Sequence, residues 1–366
     1  MRIVMFYHTL VSDWNHGNAH FLRGIATELI SRGHDVVVYE PANSWSYENL
    51  VAEHGQKPIR KFHAVYPQLQ SVRYELNLLD LDVALEGAGL VIVHEWNAHE
   101  LVRRIGDHRK RVGGYHLLFH DTHHRMVTEP QSMAAYDLSN YDGVLAYGGI
   151  LRDLYLQQGR AARVWTWHEA ADIQVFHPLD GLKREGDLVW IGNWGDGERS
   201  AELMEFLVGP VSDLQLKARI YGVRYPEEVQ GTLREAGIQY AGWLPNFEAP
   251  EVFARYKVTV HVPRRPYVKA LPGIPTIRVF EALACGIPLI CSPWEDTEGL
   301  FRPGTDYLTV QTAAQMKQAL RELLADEALR NSLIEHGLET IRSRHTCAHR
   351  VDELLRICRQ LSEEKK

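Results

Sequence analysis

The sequence predicts an α/β fold of two Rossmann-like domains, on three observations. Its 366 residues suffice for two α/β domains of ordinary size. An apolar strand over residues 1–7 runs into a polar loop and then into Phe21, Ile25, Leu29 and Ile30 at helical spacing. A second opening of the same kind starts in mid-chain. There a strand over 187–192 gives way to a loop with Gly195 and Gly197, and to a helix from about Ala201. One glycine loop after a strand is weak evidence; two, each opening half of a chain, point to two like domains.

In chain order, Gly33 stops the first helix and residues 35–39 form the second strand, completing a βαβ unit. The loop between holds His16, Gly17 and Asn18 at the carboxyl end of the first strand, where open α/β sheets bind ligands. Gly17 would let a phosphate approach the backbone, with His16 and Asn18 beside the substrate; the alternative is a surface turn. Residues 41–80 are aromatic-rich and irregular, and carry no site assignment. A strand over 88–93 ends in His94-Glu95-Trp96-Asn97, and one over 114–119 ends in a polar run from His120 to Arg125. Two neighbouring strands ending this way aim polar side chains into one crevice. Further strands follow at 141–147 and 163–168.

The polar run 179–186 reads as a linker. Beyond it, Gly192 and Asn193 fall at the end of the mid-chain strand, with Arg199 placed to reach a phosphate. Strands at 216–222, 239–244 and 258–262 lead to a basic loop, 264–269, whose Arg265 and Lys269 either clamp an anion or are simply solvated. The stretch 272–292 then organises the second half. Pro275 suits a first helical turn, Ile277, Phe280 and Ala284 share a face, Gly286 suits a left-handed cap and Pro288 blocks continuation. A helix entered through a Gly/Pro loop presents free N–H groups, here around Thr276 and Ile277, and seats a diphosphate. Arg278 in the first turn opposes the helix dipole unless an anion offsets it. Glu281, a turn later, could bond two sugar hydroxyls or pair internally with Arg278.

The run Arg278-Val-Phe-Glu-Ala-Leu-Ala-Cys-Gly-Ile-Pro-Leu-Ile resembles the donor-nucleotide segment of GT-B glycosyltransferases, especially the CgeB-like and family-4-like branch (glycosyl transferases group 1). The resemblance implies a GT-B fold, with Glu281 on the ribose of a nucleotide sugar and the amides before it on the diphosphate. That family usually has two Glu residues with seven between; this chain has Gly273 in place of the first, a residue that lets backbone N–H groups approach sugar or phosphate. The stretch Tyr240-Ala-Gly-Trp243 is similar to the family's base-binding stretch, although Trp243 suits plain packing. Residues 170–178 resemble the segment that closes the family's N-terminal domain. The implied division is an acceptor-binding domain over 1–178, a nucleotide-sugar domain over 179–350, and a helix over 351–366 packing back on the first domain.

Glycosyl transfer needs a stabilised leaving diphosphate and an acceptor hydroxyl that loses its proton. The resemblance assigns the first task to helix N-termini and basic side chains, with no metal and no cofactor beyond the nucleotide-sugar co-substrate, and implies a retaining outcome. For the second task the resemblance puts His120 first, since it matches a strand-end His of the family's N-terminal domain, as a base or a hydrogen-bonding partner of the sugar. Asp121 orients it or is itself the base, and Glu95 is the reserve. Two other readings compete. One is a GT-B-like binding or assembly protein without turnover. The other is a metal-dependent hydrolase using residues 120–124, which is disfavoured because adjacent strand residues point to opposite faces.

Composition removes other classes. A formal charge of −7 gives no bulk footprint for nucleic acid. The four cysteines have neither metal nor redox spacing and read as reduced thiols of a cytoplasmic protein. No run reaches the ~18 apolar residues of a membrane span, and residues 1–7 read as a strand, not a leader. Donor base, sugar, acceptor (glycan, lipid, small molecule or protein) and oligomeric state have no signature in these residues.

Overall fold

A computed structural model gives the fold and describes residues 1–195 and 197–364. The chain divides into two units, one made of Met1–Glu169 with the stretch from Cys347 onward, the other of Ala170–Thr346.

The first unit is built on a seven-stranded sheet in the order β3-β2-β1-β4-β5-β6-β7. Its strands are β1 (Arg2–Phe6), β2 (Asp35–Pro41), β3 (Ser71–Tyr74), β4 (Ala88–His94), β5 (His116–Asp121), β6 (Gly143–Ala146) and β7 (Val164–Thr166). Every pairing is parallel. Parallel strands covered on both faces need unbroken apolar runs, and Ile3–Phe6, Leu90–Val93 and Leu117–Phe119 supply them, all fully buried. Helices α1 (Ala19–Ser31) and α2 (His99–Val112) are crossovers of this sheet.

The second unit holds a six-stranded parallel sheet in the order β10-β9-β8-β11-β12-β13. The strands are β8 (Leu188–Ile191), β9 (Ala218–Tyr221), β10 (Ile238–Tyr240), β11 (Val258–His261), β12 (Leu289–Cys291) and β13 (Leu308–Thr309). Helix α3 (Ile277–Ala284) joins β11 to β12, and the final helix α4 (Cys347–Glu363) belongs to the first unit, where it packs on α1. Both sheets reverse strand order once, between β1 and β4 and between β8 and β11. Those reversals, at the carboxyl ends of the strands, are where such sheets bind ligands.

Three details depart from the sequence reading. The units divide at Glu169–Ala170, ahead of residue 178, because Ala171 N–H bonds His345 O (2.9 Å) and Ala171 bridges Thr346 within the second unit. The polar run 179–186 is anchored, with Glu185 paired to Arg219 (3.0 Å) and Arg255 (2.9 Å). The helix expected from Ala201 is interrupted by a π turn, Met204–Val208, where Gly209 donates to Met204 O five residues back. Pro210, which has no N–H to give, follows at once.

Candidate active site

At the reversal of the first sheet, β1, β4 and β5 end in Tyr7-His8, His94-Glu95 and His120-Asp121. Tyr7 and His94 stack with ring centres 4.7 Å apart, and the Tyr7 hydroxyl lies 2.6 Å from Nδ1 of His120. His8 and His16 add two more imidazoles, 5.5 Å apart. Burial lowers the pKa of His120 to about 3 and that of His8 to about 4, and with neighbouring histidines lowers His94 and His16 well below 6.5. The crevice therefore presents neutral imidazoles.

The Tyr7 hydroxyl decides which nitrogen of His120 carries the proton. Burial raises the Tyr7 pKa, so the hydroxyl keeps its hydrogen, and Nδ1 is its one hydrogen-bond partner among the described residues. A buried O–H needs an acceptor, so Tyr7 donates to Nδ1 and the imidazole proton sits on Nε2. Nε2 is buried and has no partner among the described residues. His120 thus offers an N–H donor, and of the two roles open to it the geometry fits hydrogen bonding to a sugar oxygen and not proton abstraction.

The other catalytic candidates have different employment. Asp121 points to the opposite side of β5 from His120, as alternation along a strand requires. Its carboxylate accepts from Tyr155 Oη (2.8 Å) and His123 N (3.1 Å), so Tyr7, not Asp121, orients His120. Burial raises the Asp121 pKa to about 6. Glu95 is buried against Arg125 (3.0 Å), whose guanidinium lies 4.6 Å over the Trp96 ring. Burial and then the Asp121 charge raise the Glu95 pKa, with Arg125 opposing them. Arg125 thus holds one oxygen of the Glu95 carboxyl, and the other is buried without a partner among the described residues. Within 120–124, the His123 and His124 rings lie 3.9 Å apart, tilted by 35°, and His124 bonds Thr128 (3.0 Å). Among the described residues no three His, Cys, Asp or Glu side chains converge as a metal site. Ahead of α1, Gly17 is exposed, and Asn18 bonds Glu169 (3.1 Å).

At the reversal of the second sheet, Arg199 stands between the two strand ends. It donates to Asn193 O (2.5 Å) and Val262 O (3.0 Å) and lies 5.1 Å over the Trp190 ring. Desolvation, then the neighbouring Arg264, lowers its pKa, yet a guanidinium keeps its charge at neutral pH. Asn193 Oδ1 accepts from Val223 N (2.9 Å), and Gly192 N–H goes to Tyr221 O (2.9 Å), so both brace strand ends.

Helix α3 starts at Thr276, whose hydroxyl does not cap it. That hydroxyl lies 3.1 Å from Nε2 of His261, at the end of β11. Turning it aside leaves the first-turn N–H groups at Ile277 and Arg278 without a side-chain acceptor, a seat for an anion. Glu281 is fully buried. Its Oε1 accepts from Asn246 (2.6 Å) and its Oε2 from Arg278, so both oxygens already have internal partners. Gly273 does not offer its amide to a ligand. Its N–H bonds Glu295 O (2.8 Å), its φ is +89°, and a Cβ there would lie 2.3 Å from Thr297 Oγ1. Arg265 pairs with Glu202 (2.9 Å), while Lys269 is exposed and unpaired among the described residues. Tyr240 donates to Gly222 O (2.9 Å) and packs beside Tyr225, and Trp243 is half-buried.

Tyr7, His261 and Asn246 are site residues that sequence reasoning missed. Position just past β1 was a usable signal for Tyr7; His261 closes a strand, but Asn246 follows a Pro in a turn and carries none.

Residues 199–356 match a family described as glycosyl transferase-like. Solved structures align along almost the whole length. Sucrose-phosphate synthase from Thermosynechococcus elongatus shares 15% identity over 99% of both chains, with a TM-score of 0.67. Anabaena HepE in complex with UDP and glucose shares 13% over 98% of this chain and 99% of its own, at 0.68. An α-glucosyltransferase in complex with UDP and a DNA 13-mer shares 12% over 98% and 99%, at 0.70. The chain has the GT-B fold, and its second half matches a glycosyl transferase-like family. No curated protein matches it in sequence. In GT-B terms, the first sheet carries the neutral-histidine crevice, and the second carries the uncapped α3 with Arg199 beside it.

Proposed function

We propose that this GT-B chain is a glycosyltransferase that moves a sugar from a nucleotide diphosphate sugar to an acceptor hydroxyl, without a metal and with retention. The observation that carries the reading is the start of α3, where Thr276 is turned to His261 and the helix amides stay free. Those amides, the dipole behind them and Arg199 supply positive potential for a leaving diphosphate. The nucleotide proposed is UDP, with which two of the aligned structures are in complex. His120 donates from Nε2 to a sugar oxygen, and its orientation comes from Tyr7. Glu281 holds Arg278 and Asn246 in place and meets the ribose. We assign the chain to the CgeB-like branch on the run 278–290, and to the cytoplasm, which four buried cysteines suit.

Calorimetric titration with UDP, GDP, dTDP, ADP and CDP in EDTA tests the reading. Saturable binding of one diphosphate supports it. Failure of all five to bind the folded protein would leave a GT-B-like binding protein without turnover. Retention is read separately, from the anomeric configuration of the product by NMR.

A further inference from the structure

The segment 41–80 lines a cavity of about 500 Å³ at the carboxyl end of β2 and alongside the start of β3. Glu40, the last residue but one of β2, lines it and is 1% exposed. Its Oε2 accepts from Leu10 N (2.8 Å) and its Oε1 from Ser71 Oγ (2.5 Å). No cation among the described residues pairs with it. A buried carboxylate without a countercharge is costly unless further hydrogen bonds serve its remaining lone pairs. Arg73, Gln70 and His63 present polar groups to the same space, and Tyr47 gives it an aromatic wall. Arg73 lies 3.9 Å over the Tyr47 ring and donates to Ala42 O, so its charge is not spent on Glu40.

We propose that this cavity binds a saccharide, with Glu40 accepting hydrogen bonds from its hydroxyls and Arg73 and Gln70 donating to its oxygens. Three arguments select that ligand. Hydroxyls donate to a carboxylate without bringing a charge, whereas an ammonium group would meet Arg73 in the same space. An apolar chain would leave Glu40 with no added partner. The end of the second strand is also where an open α/β sheet places an acid for a sugar's hydroxyls. The volume lies within the range of small-molecule sites. Tyr7 N–H bonds Tyr39 O (3.0 Å), so Glu40 sits one strand across from the Tyr7–His120 pair. A sugar held here is the acceptor class of the transfer proposed above, and that last step rests on that reading.

The test is saturation-transfer NMR on the full chain with methyl α-glucoside, methyl α-mannoside, methyl β-galactoside and methyl N-acetyl-β-glucosaminide, without nucleotide. At least one glycoside receives magnetisation and saturates. Glu40→Gln, which keeps an oxygen for Leu10 N–H, weakens it about tenfold or more, the loss of a charged hydrogen-bond acceptor. Arg73→Ala, at an exposed position, weakens it too and stands in if Glu40→Gln does not fold. Transfer to none of the four, or equal binding by both folded variants, overturns the proposal, as does binding of spermidine in their place. The diphosphate titration is read independently, so loss of one result leaves the other standing.

Discussion

Tyr7 and His120 show how one hydroxyl sets the chemistry of a buried imidazole. Tyr7→Phe removes the donor to Nδ1 while keeping the ring that stacks on His94. We expect nitrogen shifts of His120 in the native protein to report the Nε2–H tautomer, and those of the variant a mixture; a native Nδ1–H tautomer would refute the assignment. His8 makes a second prediction. Burial lowers its folded pKa from 6.5 to about 4. Between those values the unfolded chain binds a proton that the folded chain does not, so stability falls as pH drops through this window. His8→Gln removes one such proton and should flatten the decline by up to about 1.4 kcal/mol per pH unit, read from denaturant midpoints across that range. Glu95 makes the opposite point: a strand-end acid looked catalytic by position, yet only the fold reveals that Arg125, thirty residues on, claims it.

Between β11 and β12 the backbone departs from regular geometry for packing reasons. Gly273→Ala places a Cβ 2.3 Å from Thr297 Oγ1 at a φ of +89°. Strain of this kind costs on the order of 1–3 kcal/mol, so the variant should lose thermal stability. If diphosphate affinity is measured on the folded variant it should change little, because Gly273 N–H is already bonded to Glu295 O. An unchanged melting temperature would refute this account. The strands and α3 were legible because burial on both faces demands apolar runs, and Pro275, Gly286 and Pro288 bracket the helix. What was hidden is whatever depends on distant partners. That the Thr276 hydroxyl goes to His261 has no sequence signature, and Asn246 has no pattern linking it to Glu281. Run 179–186 has linker composition, but Arg219 and Arg255 pin its glutamate.

Across the chain, two parallel sheets repeat one strand order, each with a single reversal that concentrates polar side chains. A ligand bound only by the folded chain raises its stability by mass action, about 2.7 kcal/mol at a hundred times Kd. Saturating UDP should therefore raise the melting temperature equally with and without EDTA; a shift that chelation abolishes would refute metal-free binding. The return of α4 has a further consequence. Val351, Leu354 and Leu361 are buried in the unit that begins at Met1, and Trp167 Nε1 donates to Arg350 O (2.9 Å). The middle unit is continuous in sequence, whereas the other joins Met1–Glu169 to the stretch from Cys347. During synthesis the middle unit has all its residues first, and the N-terminal sheet must wait for the segment from Cys347 before α1 gains its cover. A released chain truncated before Cys347 would keep every residue of the middle unit and leave α1 without the helix that packs on it.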